Sequence, residues 1–277
     1  MRVCSIQNNY YQNYQKPVNF SGNYGVVYAQ NGKDVVCKLH TSAFRPNFNF
    51  EKFVRFIYQK YKDVPHVFFA NHACSSGEET FSFAAMLIDM LGAKEAEKFF
   101  PIFGLDYNKG NIESAKSGMF KASADEIRRI EGTLSDPHKF FDYKYNKDDN
   151  FYVPQYEFDS VSRLSYPKTN VKVTAKPIIA DNIKFYKSDV FKDVDSLPDK
   201  NIILAIRNLW LWLTDDQRHL LVDKIADKFQ ESISTLIIGD ADMLATNIHD
   251  LLLEKGFEES KVQYVYEKRK PKFSLYC

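Results

Sequence analysis

Cysteine is scarce and scattered. Cys4, Cys37, Cys74 and Cys277 show no C-x-x-C spacing and no histidine at finger-like distance, which argues against a structural zinc site and suits a reducing compartment. An excess of one charge is missing too. Lys and Arg total 37 against 36 Asp and Glu, so no net field draws the chain toward nucleic acid or an anionic membrane. The densest basic run, Lys268-Arg269-Lys270-Pro271-Lys272, reads as a solvated segment. No stretch approaches the ~18 uncharged apolar residues of a membrane span. Met1 to Phe20, rich in Asn, Gln and Tyr, has no apolar core of signal-peptide length. The expectation is a soluble, cytoplasmic protein without membrane insertion, bound metal or nucleic-acid partner.

What is present is apolar material for one large core with insertions: 44% of the 277 residues are hydrophobic and 15% aromatic. From about His66 onward, short β-branched or aromatic runs alternate with segments of helical periodicity, the pattern of a doubly wound α/β sheet. The runs predict strands at His66–Ala70, Ile102–Asp106, Ile183–Tyr186, Ile202–Ile206, Thr235–Ile238 and Val262–Tyr266. Between the first two, Phe81, Ala84, Ala85, Ile88 and Leu91 fall on one face of a helix expected over Glu78–Leu91. Thr214 to Gln217 and Ser123 to Glu126 read as capping boxes, and Gly118 sits where a left-handed helix cap belongs. Val26–Gln30 and Asp34–Lys38 flank Asn31-Gly32, a strong hairpin signal. Between Phe140 and Asn182 helical periodicity stops, while Phe151–Tyr156 and Val171–Thr174 look like strands, so an inserted β subdomain is expected. This divides the chain into an N-terminal segment (1–40), a first part of the main domain (41–138), the insertion (139–182) and a second part (183–277).

Ligands of open α/β sheets bind at the carboxyl ends of the strands, so the loops after the first, second and fourth strands deserve the search for chemistry. The first is Ala73-Cys74-Ser75-Ser76-Gly77-Glu78-Glu79. Small residues and Gly77 let a ligand approach the backbone, and Ser76 and Glu79 have capping-box spacing, so a well-capped helix would explain the same residues. Glu78 and Glu79 would repel a pyrophosphate, and neither G-x-G-x-x-G nor a P-loop lysine occurs. A zwitterionic or cationic ligand, such as the aminoacyl-sulfonium end of S-adenosylmethionine, suits a carboxylate there. The second loop opens with Asp106, an acid ending strand two, the usual acceptor for ribose hydroxyls; a helix N-terminal Asp is the alternative. The third is Arg207-Asn208-Leu209-Trp210-Leu211-Trp212, where a charge and an amide must emerge at the sheet's edge and the two tryptophans are equally explained by packing.

Together these segments resemble the chemotaxis receptor methyltransferase family, CheR, whose members esterify glutamate side chains on chemoreceptors. Ala73 to Ser82 is similar to the family's A-x-S-T-G-E-E-P-Y-S loop, and Asp106 with Ala115-Lys116-Ser117-Gly118-Met119-Phe120 is similar to its D-I-D…A-R-S-G-x-Y segment. Thr41-Ser42-Ala43-Phe44-Arg45 resembles T-x-F-F-R, and Arg207 to Leu213 followed by Asp216-Gln217-Arg218 resembles R-N-V-x-I-Y-F…T-Q-R. The resemblance runs from Thr41 to about Lys268 and implies a Rossmann-like S-adenosylmethionine-dependent methyltransferase fold. It implies Ala73, Ser75, Ser76, Gly77 and Glu79 around the methionine end, Asp106 at the ribose, Asp189 and Val190 near the adenine, and Asn208 lining the pocket. Arg45 and Trp212 would be the catalytic residues, and a protein carboxylate the acceptor. Three departures stand out. The family's N-terminal helical domain is replaced by a hairpin-like segment, its Tyr near the transferred methyl by Trp212, and its G-H-S-E by Gly239-Asp240-Ala241-Asp242. A binding module without catalysis is therefore one competing reading. A nucleic-acid or amine methyltransferase is another, disfavoured because Asn208-Leu209-Trp210-Leu211 lacks the prolines of amine-alkylating loops.

Overall fold

Apolar strands and amphipathic helices alternate along the chain because each parallel strand needs a crossover to return to the same edge. The computed structural model describes residues 24–28, 34–38, 42–144, 171–230 and 233–269. In order these form β1 (Tyr24–Tyr28), β2 (Asp34–Lys38), α1 (Phe50–Lys60), β3 (Phe68–His72), α2 (Glu78–Ala96), β4 (Ile102–Asp106), α3 (Lys109–Lys116), β5 (Met119–Ala122) and α4 (Ala124–Thr133). There follow α5 (Pro137–Phe140), β6 (Phe141–Lys144), β7 (Val171–Ala175), α6 (Pro177–Ala180), β8 (Ile183–Lys187), α7 (Val190–Ser196), β9 (Ile202–Ile206) and α8 (Asp215–Lys228). The chain closes with β10 (Ser234–Ile238), α9 (Asp240–Ala245), α10 (Ile248–Glu254), β11 (Phe257–Glu259) and β12 (Val265–Lys268).

Seven strands make the central sheet in the order β8-β4-β3-β9-β10-β12-β11. The first five are parallel; β12 runs antiparallel to both β10 and β11. From β3 the chain steps outward through β4 to β8, then returns to β9 on the other side of β3. The strand order therefore reverses between β3 and β9, and the crevice beyond their carboxyl ends is the place where such sheets bind ligands. β9 and β10 are buried at every position, as parallel strands covered on both faces must be.

Helix α2 packs Phe81, Ala84, Ala85 and Ile88 inward as expected, but its other face is buried as well. There Phe83 meets Phe50 and Phe53, with ring centroids 5.3 and 5.7 Å apart. The helix continues to Ala96 across Gly92, whose φ of 76° interrupts the helical geometry just after Leu91, where the apolar periodicity ends. Both expected capping boxes form, at Ser123 and Thr214, and Gly118 has the left-handed φ of 68°.

Three differences have local causes. The first strand lies at Phe68–His72 and not His66–Ala70, because its register is set by pairing with β9 and β4, where Phe68 opposes Ile202 and Phe69 opposes Ile102. The last lies at Val265–Lys268, because Tyr264 takes a φ of 67° and Val262–Tyr264 form the turn before it. β11 is only three residues long, too short to show a period.

A second, antiparallel sheet has the order β5-β7-β6. Its central strand contains the expected Val171–Thr174; the expected strand Phe151–Tyr156 lies outside the described residues. β1 and β2 pair antiparallel around the Asn31-Gly32 position, itself outside the described residues, with the first strand at Tyr24–Tyr28 and not Val26–Gln30. Among the described residues no helix is long and apolar enough to cross a membrane.

Candidate functional site

The loop from β3 into α2 is bent by backbone conformation. Ala73, Ser75 and Gly77 have φ of 55°, 52° and 92°, a left-handed region that costs a residue with a Cβ free energy unless its surroundings hold it. Here they do. Cys74 N–H donates to Leu105 O at 3.1 Å, Gly77 N–H to Cys74 O at 3.0 Å, and Ser75 N–H to Asp106 Oδ2 at 2.8 Å. Glycine is required at 77, since a Cβ would lie 2.9 Å from Phe185 Cζ. The capping box expected from Ser76 and Glu79 does not form: Gly77 is the N-cap with no side-chain cap bond, and Ser76 Oγ donates to Glu78 Oε1 at 3.1 Å. Glu79 falls on the second helical position and its carboxylate is drawn to arginines.

Asp106, half-buried at the end of β4, uses both oxygens locally. Besides Ser75, Asn108 N–H reaches Oδ1 at 2.8 Å and Asn111 Nδ2 reaches it at 3.2 Å. The cap of α3 is Asn108, whose Oδ1 accepts from Gly110 N–H at 2.8 Å, so Asp106 is not needed for that task. Ser188 N–H donates to Asp106 O at 2.9 Å, bringing the end of β8 alongside. Next to it Asp189 caps α7 by accepting from Phe191 N–H at 3.1 Å, and Asp189 and Val190 remain partly exposed.

The third part is an ionic chain. Arg45 is presented by a segment fastened to two helices: Phe44 N–H donates to Ser82 Oγ at 3.0 Å, Ser42 Oγ to Glu126 Oε1 at 2.7 Å, and Arg129 Nε to Phe44 O at 3.0 Å. Arg45 Nε lies 3.4 Å from Glu79 Oε1. With the Asn208 amide oriented so that its oxygen faces the guanidinium, that oxygen accepts from Arg45 Nη1 and Nη2, each at 3.2 Å. Glu79 Oε1 also accepts from Arg207 Nη1. Arg207 is buried, and its guanidinium lies 4.6 Å from the centroid of the Phe48 ring. Burial lowers its pKa and Glu79 opposes that shift; a guanidinium keeps its charge throughout. Arg207 Nε and Nη2 find no hydrogen-bond partner among the described residues.

Arg45, Glu79 and Asn208 are thus brought together, with Asp106 and the Ala73–Gly77 loop beside them on adjacent strands. The tryptophans separate: Trp210 is buried and donates from Nε1 to Ile206 O at 2.9 Å, a packing role, whereas Trp212 ends the same turn at 39% exposure. Two residues were not singled out from sequence. Arg207 was signalled by a charge directly after an uncharged strand, and Asp242 only by its place in an altered motif.

The family described as CheR methyltransferase, SAM binding domain, matches residues 39–256. No curated protein sequence matches the chain. Among solved structures, the methyltransferase domain of a bacterial Hen1 shares 11% identity over 69% of this chain and 65% of that one, under two thirds of its length, with a TM-score of 0.32. Magnesium protoporphyrin IX methyltransferase from Synechocystis PCC 6803 shares 10% over 78% and 74%, with a TM-score of 0.33. Precorrin 8W decarboxylase from Methanobacterium thermoautotrophicum shares 10% over 79% of each chain, also at 0.33. The residues fit the cofactor that the family binds: a buried guanidinium with two unsatisfied nitrogens beside a carboxylate suits a zwitterionic aminoacyl group, and a carboxylate ending β4 suits a ribose. The chain has the Rossmann-like α/β methyltransferase fold, uses S-adenosylmethionine, and belongs to the CheR methyltransferase family.

Proposed function

We propose that this methyltransferase esterifies glutamate carboxylates on a protein substrate of chemoreceptor type. The observation that carries the reading is Arg45, a guanidinium held by Glu79 and Asn208 at the mouth of the crevice, where it would orient an anionic acceptor. A glutamate side chain, with an ordinary pKa of about 4.3, is already ionised at neutral pH and needs no general base. The titratable groups nearby supply none. His72 is buried with its pKa lowered to about 3, and burial pushes the Cys74 thiol far up.

S-adenosylmethionine supplies a sulfonium methyl open to in-line displacement. The chain's part is to hold and orient. Glu79 would take the ammonium and Arg207 the carboxylate of the aminoacyl end, Asp106 the ribose, and Asp189 and Val190 the adenine. The Ala73–Gly77 loop, including Ser75 and Ser76, lets the backbone approach closely, and Asn208 lines the pocket. Arg45 and Trp212 would be catalytic residues, one aligning the carboxylate and the other excluding water from the reacting end. For the protein partner, β5 and β6 each pair on one side only among the described residues, leaving edges to which an extended peptide can add.

The test uses cofactor labelled in the methyl group and proteins of the source cell. A methyl ester is open to hydroxide attack, so mild base should release the label as volatile methanol, whereas methylated nitrogen would retain it. Arg45→Ala should lower the label transferred far more than it lowers cofactor affinity. Base-stable label would exclude the carboxylate. Tight cofactor binding with no transfer to any acceptor would favour the binding module that Trp212, lacking a hydroxyl, allows.

A further inference from the structure

The segment after β9 has no regular structure to hold it in place. Asn208 adopts a φ of 58°, and Trp210–Trp212 is a single 3-10 turn. Yet it carries Arg207, Asn208 and Trp212, and one carboxylate spans it. Asp242, buried in α9, accepts from Asn208 N–H at 2.5 Å and Gly239 N–H at 3.0 Å on Oδ2, and from Leu211 N–H at 3.3 Å on Oδ1. The three donors come from the two loops that leave the adjacent parallel strands β9 and β10. Space around this knot is tight: a Cβ on Gly239 would lie 2.7 Å from Asp242 Oδ2 and 3.0 Å from Asn208 N. Gly239, the first residue of the Gly239-Asp240-Ala241-Asp242 motif, is thus what lets its last residue reach across.

Burying a carboxylate is costly unless its lone pairs are used, and burial does push Asp242 up to about 7 against the three N–H groups and Arg207. An apolar residue would fill the space more cheaply, but it would leave the Asn208, Gly239 and Leu211 amides without an acceptor and the loop without a fixed course.

We propose that Asp242 is a positioning residue for the cofactor site, fixing the backbone of Asn208 and Leu211 and with it the direction in which the Arg207 and Asn208 side chains enter the crevice. The inference rests on the reading that Asn208 and Arg207 meet the cofactor, and is independent of the acceptor.

The experiment compares wild-type protein, Asp242→Asn and Asn208→Ala for calorimetric affinity toward the demethylated product, S-adenosylhomocysteine, together with melting temperature and backbone amide spectra. An asparagine at 242 has one acceptor oxygen. Turned toward Asn208 and Gly239, it sets its NH2 against Leu211 N–H, donor against donor. Asp242→Asn should remain folded, bind the product at least tenfold more weakly, and show altered Leu211 and Trp212 amide signals while those of β9 stay in place. A folded Asp242→Asn with wild-type affinity, alongside a weakened Asn208→Ala, overturns the positioning role; an Asn208→Ala with wild-type affinity instead removes the reading beneath it. If Asp242→Asn does not fold, amide exchange in the ligand-free wild-type protein decides. Protected Asn208 and Leu211 amides are expected from a loop already fixed by the carboxylate, and exchange at open-loop rates overturns it.

Discussion

Removing the Asp106 carboxylate tests the cofactor site most directly, and its magnitude can be worked from the hydrogen bonds. A carboxylate offers about four lone-pair positions, and three are taken by Ser75 N–H, Asn108 N–H and Asn111 Nδ2. One remains for a ribose hydroxyl. Asp106→Ala removes that charge-assisted bond, costing roughly 1.5–3 kcal/mol, or about 10- to 150-fold in affinity. It also frees Ser75, whose φ of 52° is sustained by the bond to Oδ2, so the upper part of that range is expected. Asp106→Asn isolates the second effect: the shape is kept, but its NH2 must face one of two backbone donors. Calorimetry with S-adenosylhomocysteine on both variants, each checked for an unchanged melting profile, is the assay. The expected order is wild type, then Asp106→Asn, then Asp106→Ala. Equal affinity in all three would remove Asp106 from the site and with it the argument from strand topology.

The remaining predictions concern stability. Arg207→Met leaves Glu79 buried with one arginine in place of two and should destabilise the fold by about 3–5 kcal/mol; adding Glu79→Leu should recover much of that in urea unfolding, and strict additivity of the two would disprove the coupling. Gly77→Ala forces a Cβ into a left-handed position 2.9 Å from Phe185 and should cost about 2–4 kcal/mol; a melting temperature within a degree of wild type would contradict it. Asp242 keeps its proton to about pH 7 in the folded state against 3.8 as a model value. The folded chain thus binds more protons in that window, and this group's contribution to stability falls as pH rises through it. His72 acts oppositely: lowered to about 3 from 6.5 by burial, it weakens the fold as pH falls through that interval. Unfolding free energies against pH should lose the first slope in Asp242→Asn and the second in His72→Gln. Curves parallel to wild type would show that neither group titrates as described.

The sheet was legible because its strands are apolar runs and its helices carry periodic faces and explicit caps. Ile202–Ile206 is uncharged throughout and was placed to the residue, as was Ile102–Asp106. Where the sequence misled, a long-range contact outweighed a local pattern. The Ser76–Glu79 spacing is that of a capping box, yet Arg207, 128 positions away, takes the Glu79 carboxylate and leaves Gly77 as the cap. Local pattern likewise could not divide the tryptophans. Trp210 and Trp212 differ only in that the first reaches Ile206 O from inside the core. Asp242 was hidden for the same reason, since its partners lie on a loop more than 30 positions upstream.

The charges of the site explain a composition that is neutral overall. Arg45, Glu79 and Arg207 alternate in sign, so each buried charge has its opposite beside it, and the low dielectric makes an unpaired one costly. A zwitterion brings one positive and one negative group, and can enter such a chain by substituting for partners without changing the total. A phosphate ligand would instead place added negative charge against Glu78 and Glu79 at the start of α2, where both carboxylates are buried. The arrangement therefore selects by charge distribution, which a neutral net charge conceals and a buried carboxylate between two guanidiniums reveals.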